Sequence, residues 1–164
     1  MNDTANNDGI PAEVAKWLKA IVGEYMLAGN YRKHSERTGV WRIQAAGGMS
    51  FLKIHKEKRK WHPEVYAYQN WASAYEPYVP RLIAVYESPE AQGVLMSGVE
   101  GQPLRQADLP EKQVLLAYET AGRLARQTHT LEVGPFFGLP DCKGRPQGET
   151  ITDPVEYMTR DLQR

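Results

Sequence analysis

Val40-Trp-Arg-Ile-Gln44 and Met49-Ser-Phe-Leu-Lys-Ile-His55, separated by Ala45-Ala-Gly-Gly48, decide the fold. Both runs alternate apolar and polar residues, the period of a half-buried strand. The Ala/Gly turn between them predicts an antiparallel hairpin. In the second run Phe51, Lys53 and His55 share one face, and Leu52 and Ile54 share the other. Lys53 therefore sits between apolar neighbours on a strand, a placement that needs explaining.

Working towards the N-terminus, His34-Ser-Glu-Arg-Thr-Gly39 reads as a turn and Tyr31–Lys33 as a short strand. Pro11 to Leu27 reads as a helix. Pro11 suits a first turn, and Val14, Trp17, Leu18, Ile21, Val22 and Tyr25 recur at helical spacing. Residues 1–10 are polar and Asn/Asp-rich, the composition of a loose tail.

Working towards the C-terminus, His62-Pro63-Glu64 is expected to open a helix reaching Tyr75, with Pro63 in its first position. Glu76-Pro-Tyr-Val-Pro80 breaks it. Arg81–Glu87 and Val94–Ser97 read as two more strands. A helix over 110–131 carries Val114, Leu115, Tyr118, Ala121, Gly122, Leu124, Ala125 and Thr128 as a stripe. Residues 132–152, rich in Gly and Pro, read as irregular. Asp153 caps a last helix with Pro154 at its start. The expected class is α+β.

The chain has 164 residues and twenty Lys+Arg against twenty Asp+Glu, a formal net charge of zero. Cys142 is the single cysteine, which excludes a disulfide scaffold. No apolar run approaches the roughly 20 residues of a membrane helix. The start shows neither a positive nor an apolar leader region, so the expected compartment is the cytosol. The neutral total argues against a general nucleic-acid or membrane binder. Yet residues 31–60 hold nine Lys/Arg and only Glu36 and Glu57 as acids, a local charge of +7. One-sided basic charge on a neutral protein suits a phosphate-bearing small molecule better than a duplex. Lys56 to Lys60 reads equally well as a solvated run.

Four pieces, in order, resemble the N-terminal lobe of the aminoglycoside phosphotransferase family, small-molecule kinases with a protein-kinase-like fold. They are Gly39-Val-Trp-Arg-Ile43 with Met49-Ser-Phe-Leu-Lys-Ile54; His62-Pro-Glu-Val-Tyr66; Val79-Pro-Arg-Leu82 with Gly93-Val-Leu-Met-Ser-Gly-Val-Glu-Gly101; and Ala121-Gly-Arg-Leu-Ala-Arg-Gln-Thr-His129. The resemblance implies a flexible tail at 1–10, a nucleotide-binding lobe with hinge at 11–101 and an incomplete helical lobe at 102–164. It implies ATP as cofactor, with Mg²⁺ in the complete enzyme, and a small-molecule acceptor. Lys53 would neutralise phosphate oxygens, and Glu64 would orient it. The C=O of Ser97 and the N–H of Val99 would address the adenine edge, Met96 and Leu95 would pack near the purine, and Ile43 would cover its other face. Ser35 and Thr38 would donate hydrogen bonds to the phosphates from a turn lacking the kinase GxGxxG.

The residues alone leave other readings open. Lys53 could be an edge-strand lysine reaching water, although Phe51, Leu52 and Ile54 favour a buried stem with its head in a cleft. Glu64 would also interact favourably with a helix N-terminus. His55 and His62 are expected at the surface, and His129 at a helix end. No His/Cys/Asp/Glu spacing fits a metal site. The His-Gly-Asp catalytic loop of the resembled family, its downstream Asn and the following metal-binding Asp are absent from the sequence. The reading is thus an N-terminal fragment of a kinase, inactive by itself, its long helix left with apolar surface that predicts self-association. The alternatives are a non-catalytic nucleotide-binding or regulatory module, and an unrelated α+β binding domain that uses the basic 53–60 stretch.

Overall fold

A computed structural model describes residues 9–31, 39–101, 104–128, 130–131 and 134–162. Helix α1 (Ala12–Val22) leads into strand β1 (Tyr25–Asn30), then β2 (Gly39–Ala45), β3 (Gly48–His55), helix α2 (Lys58–Asn70), β4 (Leu82–Glu87) and β5 (Gln92–Ser97). Helices α3 (Glu111–Thr128) and α4 (Pro154–Leu162) follow. Short 3-10 turns occupy Ala72–Tyr75 and Leu104–Gln106. The five strands form one antiparallel sheet in the order β1-β2-β3-β5-β4. This is the expected α+β, kinase-like architecture.

The hairpin forms as its alternation predicts, with Gln44 opposite Met49 and Val40 opposite Lys53. The pleat then sorts the side chains to two faces. On one face Trp41, Ile43, Leu52, Ile54 and Leu95 pack with Val14, Ala15 and Leu18 of α1. On the other, Val94 and Met96 pack with Trp61 and Val65 of α2, joined by the partly buried Phe51 and Tyr68. The Trp61 indole N–H donates to the Gly93 carbonyl at 3.1 Å, so its one polar atom is satisfied inside this core.

Two boundaries differ from the sequence reading. The first helix stops at Val22, not Leu27, because Gly23 takes φ +77° and ψ −148°, a backbone region open almost only to glycine. Tyr25 to Asn30 is then a strand with alternate residues half-buried and exposed. Trp17, Ile21 and Tyr25 stand four apart, which imitates a continuing helix. The short strand expected at Tyr31–Lys33 is thus displaced: Tyr31 is outside β1, and residues 32–38 lie outside the described residues.

The second helix begins at Lys58, so Pro63 is inside it rather than in its first position. Proline has no N–H to donate to the carbonyl four residues earlier. That carbonyl, Arg59 C=O, instead accepts a hydrogen bond from Gln147 Nε2 at 3.1 Å. The partner comes from the Gly/Pro-rich segment, and the sequence reading of α2 had no means of including it.

The chain divides into two compact units. The first runs to Gly98 and includes Gly138–Thr150; the second comprises Val99–Phe137 and Ile151–Arg164. In the second unit no residue of α3 is buried, and Leu115, Leu116 and Tyr118 are exposed. Asp153 Oδ1 accepts from Val155 N–H at 2.8 Å, the expected N-terminal cap of α4. Among the described residues no helix is long and apolar enough to cross a membrane.

Candidate functional site

Residues directly opposite one another in an antiparallel pair share a face. Val40, Lys53 and Val94 therefore form one row across β2, β3 and β5, and Arg42, Phe51 and Met96 form the next. Helix α2 packs on this face and brings Glu64 to Lys53. Lys53 Nζ donates to Glu64 Oε2 at 2.6 Å, and the two side chains keep 29% and 20% of their exposure. This pair is neither a free surface lysine nor a fully buried ion pair. The ammonium is oriented by one carboxylate oxygen and remains partly exposed.

His55, one pleat beyond Lys53, is buried rather than at the surface as expected. Its Nε2 lies 2.7 Å from the same Glu64 oxygen. Burial pushes the Glu64 pKa up, but the neighbouring His55 and the bond and charge of Lys53 outweigh it, and the net result is below the ordinary value. The carboxylate is thus ionised at neutral pH. Tyr68, on the same helix, donates its hydroxyl to Met96 Sδ at 3.2 Å. Burial and then the Glu64 charge raise the Tyr68 pKa.

The structure brings only some of the expected residues together. Lys53, Glu64 and Met96 share one face. Ile43 does not: it is fully buried in the core against α1, on the opposite face, and sits across from Ser50. Leu95 is buried in that same core. Ser97 ends β5, where its Oγ accepts from Arg81 N–H at 2.9 Å. Val99 opens the second unit and is exposed. Ser35, Thr38 and His129 lie outside the described residues.

Val40, Phe51 and Tyr68 join the face that carries Lys53, and the sequence reading gave none of them a role there. For the two strand residues the signal was the hairpin itself: Phe51 has the parity of Lys53 on the same strand, and Val40 stands directly opposite Lys53. His62 is half-buried, not a surface residue, and its Nδ1 accepts from Cys142 N–H at 3.3 Å. The basic stretch behaves differently from Lys53. Lys58 pairs with Glu87 at 2.5 Å and Lys60 with Glu57 at 2.6 Å, all with side chains about half-exposed or more. Such pairs are worth little energetically, and they blunt the stretch as an anion site.

The residues present fit a nucleotide phosphate through Lys53 and its partner acid. Among the described residues no group of three or more His, Cys, Asp or Glu side chains could hold a metal.

Comparison with known proteins agrees with this geometry. Residues 31–154 match the family described as Phosphotransferase enzyme family. Among solved structures, a thermostable mutant of aminoglycoside phosphotransferase APH(4)-Ia, in ternary complex with ADP and hygromycin B, superposes with a TM-score of 0.69 at 18% identity. That match covers 92% of this chain and 50% of the other. Another structure of APH(4)-Ia gives a TM-score of 0.62 at 16% identity, covering 91% and 49%. The chain thus spans about half the length of these structures. No curated protein matches the sequence. A kinase-like sheet with a Lys–Glu pair on its α2 face and a family match over most of the length lead to one assignment: the chain belongs to the phosphotransferase enzyme family.

Proposed function

We propose that this chain is the nucleotide-binding part of an ATP-dependent kinase that phosphorylates a hydroxyl group of a small molecule such as an aminoglycoside. The observation that carries the reading is the Lys53–Glu64 pair at 2.6 Å, on a sheet face flanked by apolar side chains and still partly open. Lys53 supplies a compact positive charge to phosphate oxygens, and Glu64 holds the flexible side chain in place until the nucleotide arrives. Val40 and Met96 offer apolar surface to a purine from the same face, and the backbone at Ser97 answers its polar edge.

Transfer needs more than this clamp. An acceptor hydroxyl must be oriented or deprotonated by an aspartate, and the charge on the transferring group must be met by metal-binding carboxylates. The sequence contains no His-Gly-Asp. The part we assign to this chain is therefore nucleotide binding. Thermal unfolding with and without ATP tests the reading. Wild type should gain stability as ATP rises, and Lys53→Ala should lose at least tenfold in apparent affinity. An equal response from both proteins would rule out Lys53 as the phosphate contact.

A further inference from the structure

The segment from Gly138 to Thr150 lies about forty residues beyond β5 in sequence, yet it belongs to the same compact unit as the sheet. It is braced from within. Asp141 Oδ1 accepts from the N–H groups of Lys143 and Arg145 at 2.8 and 2.9 Å, and its Oδ2 accepts from Arg145 Nε at 2.9 Å. Isolated bridging of Pro140 with Pro146 closes the loop.

Three contacts tie this loop to α2. Cys142 N–H donates to His62 Nδ1. Gly144, at φ +78°, lies flat against Tyr66; a Cβ there would stand 2.8 Å from the ring. Gln147 Nε2 donates to Arg59 C=O at 3.1 Å and to Pro140 C=O at 2.7 Å. The last contact is the informative one. Pro63 strips Arg59 C=O of its helical partner one residue before Glu64, and an amide from the loop replaces the missing N–H. A primary amide has two donors, and each finds a carbonyl: one on the helix and one on the loop.

We propose that Gln147 is a positioning residue for the nucleotide site: it completes α2 at the Pro63 gap and so sets Glu64 against Lys53. This rests on the nucleotide reading for its functional consequence, but the positioning itself can be measured without any ligand. The Glu64 carboxylate reports its neighbours through its own titration, which sits below the ordinary value only while Lys53 and His55 are close.

The experiment uses the full chain and Gln147→Glu, which keeps the shape and removes both donors. Carbon-13 NMR titration of Glu64 should show its pKa moving back towards the ordinary carboxylate value. Calorimetry with ADP should show affinity falling three- to tenfold, with no further loss when Gln147→Glu is added to Glu64→Ala. Pro63→Ala restores the missing N–H, so Pro63→Ala/Gln147→Glu should recover the wild-type titration and affinity. That rescue also separates the proposal from a folding defect, because a merely structural Gln147 would not be rescued by an amide at position 63. An unchanged Glu64 titration in Gln147→Glu overturns the positioning role. A shifted titration in a protein that binds no ADP upholds the positioning and overturns the nucleotide reading instead.

Discussion

At Lys53 the decisive quantity is a distance of 2.6 Å to Glu64, across eleven residues of sequence. The pair was expected from the family resemblance, and the apolar neighbours of Lys53 on its strand agreed with a buried stem. Its energetics follow the Glu64 pKa, which is depressed. A depressed carboxylate contributes stability above its unfolded pKa and loses it as pH falls through the folded value. Urea unfolding of wild type and Glu64→Gln should therefore differ most at neutral pH and converge in acid, below the ordinary carboxylate range. A difference that grows in acid would contradict the assignment. Ile43 was misplaced for a simple reason. Gln44 opposite Met49 already puts Ile43 opposite Ser50, on the face away from Lys53. That register was available in the hairpin and outweighs any expectation carried by resemblance. His55 has the parity of Lys53 and was misread as a surface group because nothing local showed that α2 would cover it.

Among the elements, strands were read more reliably than helix ends. Alternation is a property of each strand's own residues, whereas helix ends depend on single backbone conformations and on remote partners. Gly23 ends α1 by its positive φ, and no neighbouring atom would touch an added Cβ. Gly23→Ala should thus cost about 1–3 kcal/mol from backbone strain alone, measurable by urea unfolding. A neutral result would mean that the helix continues towards Tyr25. Trp61 anchors α2 with both its ring and its indole N–H. Trp61→Ala should cost about 3–5 kcal/mol and reduce nucleotide binding together with stability, since it loosens the helix that carries Glu64. The start of α2 was misread because Pro63 normally marks a first turn. The loop partner that permits it further inside, Gln147, is eighty-eight residues from Arg59. No periodicity announces a contact of that separation.

For the molecule as a whole, charge and hydrophobicity are distributed unevenly. The sheet unit holds the buried residues, whereas α3 has none, and Leu115, Leu116 and Tyr118 of α3 and Val155, Met158 and Leu162 of α4 are exposed. Exposed apolar surface on this scale promotes association. Light scattering should show a mass that rises with protein concentration, and Leu116→Gln/Tyr118→Gln should lower it; a monodisperse monomer would argue otherwise. The central claim concerns the opposite kind of surface, a small and partly open face around one lysine. Amide NMR during titration with ADP addresses it most directly. The account predicts shifts concentrated in β2, β3 around Lys53, the middle of α2 around Glu64 and the end of β5 at Ser97, all saturating together and all lost in Lys53→Ala. Shifts confined to the exposed 56–60 stretch, or the same shifts in Lys53→Ala, would contradict it.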